Sequence, residues 1–165
     1  MGARTVRRQR RSCTSALSTY AYPTPAAAKE RVLTDGFFAC PAQFTAESAR
    51  RGGARVWRYQ FDDTPLPVNP LLPGAFHGAE VPYVFSTLMG LPIPLSPAAD
   101  RLSRDIQDSW AHFAHTGNPE TPALTPWPHA TVDTTLELGS DRIGTADTFG
   151  AQHHCDLWAD IDHIG

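Results

Sequence analysis

The sequence predicts a mixed α/β chain, and three observations carry that reading. Aromatic residues alternate through Ala54–Phe61 as on a strand, Pro97–Thr116 is amphipathic with stop signals at both ends, and a short apolar run at Thr134–Leu138 reads as a second strand. The 165 residues suffice for one domain, and two would be cramped. At this length roughly 68–70% of the unfolded chain's surface can be buried, so a core is within reach. Apolar residues at 41% and charged residues at 19% exclude a wholly disordered tail, while 12 glycines and 15 prolines favour loops over a helical bundle. No run of about 18 apolar residues occurs, so no membrane-spanning helix is expected.

Residues 1–30 read as a basic leader without a core, expected to be disordered, and residues 31–165 as the folded portion. Arg4, Arg7, Arg8, Arg10 and Arg11 have no acid beside them, and Ser12-Cys13-Thr14-Ser15-Ala16-Leu17 does not begin the apolar segment of an export signal. Residues 12–165 carry 9 basic and 17 acidic groups, a net charge of −8. Such a body repels phosphate backbones, so no nucleic-acid partner is expected. The chain does not indicate its localisation.

The first helix is expected over residues 35–51. Thr34 suits an N-cap, Asp35 the first turn, and Phe37, Phe38, Phe44 and Ala49 one buried side, with Gly52-Gly53 as the stop. Pro41 predicts a kink, or a helix that properly begins at Cys40. The strand at 54–61 follows. Eight prolines between Pro65 and Pro97 leave little room for regular structure, yet Phe76, Val81, Tyr83, Val84, Phe85, Leu88 and Met89 predict an ordered loop packed on the core. The second helix, 97–116, is capped by Ser96, opens on Pro97, buries Leu102, Ile106, Trp110, Phe113 and Ala114, and ends at Gly117. The strand at 134–138 is expected antiparallel to 54–61, and Leu157-Trp158-Ala159 with Ile161 closes the chain.

Among groups that could do chemistry, His112 and His115 share a helix face but lack a third ligand at useful spacing. His153-His154-Cys155-Asp156 holds three ligand types that adjacent positions seldom bring onto one ion, so no metal is expected. His77 lies between Gly74 and Gly78 in the proline-rich loop, where small neighbours leave room beside an imidazole able to take and return a proton. Composition alone leaves this open and favours a satisfied loop histidine. No Gly-x-Ser-x-Gly elbow and no His-Gly-Gly oxyanion loop occur; the nearest imitation places Ser48 on the surface of the first helix.

From Leu33-Thr34-Asp35 to Trp158, roughly three quarters of the chain, five segments in order resemble the type-B carboxylesterases, the cholinesterase relatives within the α/β-hydrolase fold. They are Phe37-Phe38-Ala39-Cys40-Pro41; Trp57-Arg58-Tyr59-Gln60-Phe61-Asp62; Gly74-Ala75-Phe76-His77-Gly78-Ala79-Glu80-Val81-Pro82-Tyr83-Val84-Phe85; Trp110 to Pro119 with Trp127-Pro128; and Cys155-Asp156-Leu157-Trp158. The resemblance implies an incomplete α/β-hydrolase, the C-terminal portion of a serine ester hydrolase. In it His77 is the general base and acid, and the nucleophile, oxyanion loop and orienting carboxylate lie outside the match. Glu80 becomes a buried carboxylate holding the loop, and Asp62 and Asp63 solvated turn residues. Cys40 and Cys155 fall where some members place a disulfide, worth about 4.7 kcal/mol in the chain-entropy model; two buried thiols are the alternative. The implied partner is a small carboxylic ester, once the nucleophile-bearing part is supplied, and no cofactor is implied. The competing reading is a non-catalytic module that pairs with a partner chain through an open sheet edge.

Overall fold

The computed structural model describes residues 25–64, 75, 77–88, 90–92, 94–124, 126–131 and 133–162. They form two compact units, one from the described residues up to Ala54 together with those from Thr148 onward, and one from those of Arg55–Asp147. The leader expectation for residues 1–24 lies outside the described residues, as do positions 65–74 of the proline-rich loop.

The first unit opens on α1 (Pro25–Thr34), which runs through a π-type segment (Asp35–Ala39) into α2 (Cys40–Arg51). Residues 25–30, read from the sequence as leader, are therefore helical. Thr34 has helical dihedrals and no capping bond, so it is interior and not an N-cap. The cause is visible at Pro41. Its ring clashes with the carbonyl four residues back and it has no N–H to offer, and a widened turn just before it absorbs both problems. There the Cys40 N–H reaches back to the Asp35 carbonyl, and the α register resumes at Cys40 with Pro41 in the first turn. The helix stops as Gly53 takes φ +86° and the Ala54 N–H returns to the Ala49 carbonyl at 3.0 Å, a left-handed C-terminal motif.

The buried side of this helix differs from the expected phenylalanine stripe. Phe37 is 70% exposed and Phe38 and Ala49 are exposed, whereas Asp35, Cys40 and Gln43 are buried. The inward face meets the far end of the sequence, where α5 (Phe149–Gln152) and α6 (Cys155–Asp162) contribute the buried Phe149 and Cys155 and the turn between them the buried His153. Cys40 and Cys155 form a disulfide, and His153 Nδ1 lies 2.6 Å from Asp35 Oδ1. The Trp158 indole lies on Gly36, where an added Cβ would sit 2.6 Å from the ring. Gly36→Ala is therefore expected to destabilise by about 1–3 kcal/mol despite alanine's better helix propensity, read by urea denaturation.

The second unit holds a three-stranded sheet in the order β1 (Tyr59–Phe61), β4 (Thr135–Leu138), β5 (Ile143–Ala146). Between β1 and β4 come α3 (Val81–Phe85), a small hairpin of β2 (Thr87–Leu88) and β3 (Leu91–Pro92), and α4 (Pro97–Thr116). β1 pairs with β4 in parallel, Tyr59 opposite Leu136 and Phe61 opposite Leu138, which corrects the antiparallel expectation. A connection containing a long helix returns the chain to start its next strand in the same direction. The antiparallel neighbour of β4 is β5, reached by a tight turn in which the Gly139 N–H donates to the Arg142 carbonyl at 3.0 Å.

The ladder of β1 is three residues long, against the eight expected. Upstream, the chain stays extended but spends its polar groups individually. The Val56 carbonyl accepts from Ala130 N–H, the Arg58 carbonyl from Leu136 N–H and Trp127 Nε1–H, and Arg58 Nε–H donates to Thr135 Oγ1.

Helix α4 has the predicted boundaries. Ser96 Oγ accepts the Ala99 N–H at 3.1 Å, and Gly117 at φ +71° returns its N–H to the Phe113 carbonyl. Leu102 and Ile106 are buried with Tyr83, Leu124, Trp127, Leu136 and Leu138, and Trp110 is half-buried beside them. The stripe fails in the last turn: Ala114 is exposed and Phe113 is half-exposed, touching the Trp57 ring edge-on at 5.8 Å. Ile106→Ala is expected to cost about 2–5 kcal/mol, by the lost transfer of its methylenes and the cavity left, measured as a shift in the urea midpoint.

Candidate active site

His77 stands exposed at the first position of a turn spanning residues 77–80, directly before α3. Gly78 follows at φ +87°, a conformation that a side chain would resist, and the chain then dips so that Ala79 is fully buried. The Val81 N–H closes on the Gly78 carbonyl at 3.2 Å, and the Tyr83 and Val84 N–H groups on the Glu80 carbonyl at 2.9 and 3.1 Å. His77 is thus exposed at the head of a short hydrogen-bonded bend anchored by the buried Ala79.

What fixes that bend is Tyr83, which the sequence reading placed in the packed loop without a role. Its side chain is fully buried, edge-on to Phe61 at 4.8 Å, and its hydroxyl donates to Asp63 Oδ2 at 2.9 Å. Asp63 is therefore a partner of the loop and not a solvated turn residue, while Asp62 is exposed. The Tyr83 carbonyl accepts from Ser103 Oγ at 2.6 Å and Gln107 Nε2 at 2.8 Å, both on α4. Burial, and then the Asp63 carboxylate, push the Tyr83 phenol far above its ordinary 10.0.

The sign follows from linkage. A phenol whose folded-state pKa is raised favours the fold fully below pH 10, and that stabilisation is lost as pH rises above it. Tyr83→Phe is therefore expected to flatten the loss of stability between pH 9 and pH 11, measured by urea denaturation at both.

Glu80 is half-buried, not sealed, and its carboxylate lies near enough to Tyr59 to add to the upward shift that burial imposes on that phenol. The other histidines disperse. His112 is half-buried with Nδ1 lacking a hydrogen bond among the described residues, and His115 is exposed on α4. In the His153–Asp156 run, His153 is committed to Asp35 and Cys155 to Cys40. Among the described residues no group of three or more His, Cys, Asp or Glu could hold a metal ion. Ser48 is exposed on α2, its carbonyl accepting the Gly52 N–H. Among the described residues no helix is long and apolar enough to cross a membrane.

Comparison with known proteins gives this geometry its context. The model of the carboxylesterase family matches residues 6–158. This chain belongs to the carboxylesterase family. The para-nitrobenzyl esterase of Bacillus subtilis is 38% identical over 126 residues, covering 73% of this chain and 25% of that protein. The acetylcholinesterase of Bungarus fasciatus is 32% identical over 139 residues, covering 79% of this chain and 22% of its own length. A solved PNB esterase superposes with a TM-score of 0.68 at 32% identity, over 82% of this chain and 28% of that one. A carboxylesterase of Geobacillus stearothermophilus gives 0.68 at 22% identity over 89% and 31%, which shows the fold alone. The carboxylesterase-family chain described here spans about a quarter of the length of the curated relatives it matches, and its architecture is part of an α/β-hydrolase.

Proposed function

We propose that these residues supply the proton-transfer histidine of a serine-type carboxylic-ester hydrolase, with His77 in that role. The observation that carries the proposal is an exposed imidazole on a glycine-permitted turn whose backbone is tied into the core through Tyr83, within a chain of the carboxylesterase family. In the proposed reaction a serine outside these 165 residues attacks the ester carbonyl. His77 takes the hydroxyl proton and delivers it to the departing alkoxide. A water then attacks the acyl-serine, giving its proton to His77, which returns it to the serine as the acid leaves. The sequence contains no Gly-x-Ser-x-Gly elbow, so the nucleophile and oxyanion donors are assigned to other residues of the complete site.

The test uses p-nitrophenyl acetate with the purified chain alone and mixed with the nucleophile-bearing remainder of a family esterase. The expected result is no turnover above buffer from the chain alone, turnover from the mixture, and a loss of about 10²–10⁴-fold on His77→Ala. Turnover by the chain alone that His77→Ala abolishes would refute the assignment of the nucleophile elsewhere. Mixture activity indifferent to His77→Ala would refute the histidine's role. A second reading, a non-catalytic module, draws on β1, which among the described residues pairs only with β4 and leaves its other edge open. It is favoured if the chain captures a strand-bearing partner while no mixture hydrolyses ester.

A further inference from the structure

Helix α3 has five residues, too few to hold itself together or fix its own direction. Its last carbonyls have no partners within the helix, and Ser86, the residue that caps its C-terminus, sits at φ 56°, an uncommon conformation for a side-chain-bearing residue. One side chain from α4 answers both needs. Gln107 Nε2 donates to the Tyr83 carbonyl at 2.8 Å and to Ser86 Oγ at 2.8 Å, with Ser103 Oγ a third contact at 3.0 Å. Ser103, one turn back on α4, donates its own hydroxyl to the same Tyr83 carbonyl at 2.6 Å. An amide has two N–H groups to share among these three oxygens, so all are held by one planar group and shift together.

We infer that Gln107 is a positioning residue for the His77 turn, clamping the far end of α3 so that the backbone beneath the imidazole keeps one direction. The inference rests on the catalytic reading of His77, and the chemistry explains the dependence. His77 is exposed, so where its ring can reach is set through the turn at residues 77–80, which is continuous with α3. Pro82 and Tyr83 seat α3 from inside, Tyr83 also through Asp63, but these contacts gather in the first turns and leave the Ser86 end without them. The Gln107 bonds to Tyr83 and to Ser86, the residue that follows α3, tie that end to α4. A misplaced general base costs rate and leaves binding of a small ester nearly untouched, so the signature is in kcat.

The test replaces Gln107 with methionine, which keeps length and flexibility and removes the donors, with Arg104→Ala as a control at an exposed position of the same helix. In the 165-residue chain itself, amide hydrogen exchange at Val81, Tyr83 and Val84 is expected to accelerate at least tenfold in Gln107→Met, with Leu136 and Leu138 in β4 unchanged. A general loss of stability would instead raise exchange everywhere. In the reconstituted esterase kcat is expected to fall at least tenfold with KM within twofold, and Arg104→Ala to change neither. Unchanged local exchange, or exchange raised equally in β4, overturns the proposal, as does an unchanged kcat where His77→Ala abolishes activity. Activity that survives His77→Ala overturns the catalytic reading instead, and the exchange result still decides whether Gln107 clamps the turn.

Discussion

Replacing Cys40 and Cys155 together with alanine is expected to lower the free energy of unfolding by about 4–5 kcal/mol. The two residues are 115 positions apart and join α2 to α6. Without the bond, unfolding releases a loop of that length, and the unfolded ensemble recovers the entropy the cross-link had removed. Each single replacement should cost about as much as the pair, since either one breaks the same link. The measurement is urea denaturation of the double variant against the oxidised parent, with the parent repeated in excess dithiothreitol. A loss under about 1 kcal/mol would mean that the two ends are held by packing alone.

The second large effect is expected at Asp35. Its side chain is fully inaccessible and meets His153 Nδ1 at 2.6 Å, with His153 almost as deeply buried. Asp35→Ala removes one member of a buried polar pair and leaves the imidazole without it, at a cost of about 3–5 kcal/mol. Asp35→Asn keeps an acceptor oxygen in the same place and should cost less. The double variant Asp35→Leu/His153→Leu should recover much of the loss, because two apolar side chains need no partners. A thermal or urea double-mutant cycle reads the coupling directly; losses that simply add would show that the two side chains do not support each other.

Legibility followed the range of the interaction. Helix α4 was readable to the residue because its determinants are local: Ser96 and Pro97 at one end, Gly117 at the other, Leu102 and Ile106 between. The strand at 134–138 was found within one residue, but its direction was not. Direction depends on what the connection does, and β5, the partner that is antiparallel, carries the weak strand sequence Ile143-Gly144-Thr145-Ala146. The phenylalanine stripe of the first helix is a poor guide to its inward side, because a buried carboxylate with a histidine partner and a cysteine with a disulfide partner take that side.

The candidate site shows the same division. His77 stood out through its glycine neighbours and the motif around it, both contiguous in the chain. Asp63, Ser103 and Gln107 lie 20 to 24 positions from Tyr83, and nothing periodic ties them together. One clue was available. Ser103 and Gln107 stand one turn apart beside the apolar stripe of α4, and polar residues there imply a buried polar group to meet.

The stitching of sequence-distant segments also bears on biosynthesis. At roughly 5–20 residues per second, Cys40 is synthesised on the order of 6 to 23 seconds before Cys155 exists to receive it. For most of that interval Arg55–Asp147, an uninterrupted stretch, is itself being made, and throughout it Asp35 and Cys40 stand without the partners they meet in the fold. Of the two units, the one whose helix emerges earlier is thus the later to be complete, because it draws on residues from both sides of the other in the sequence.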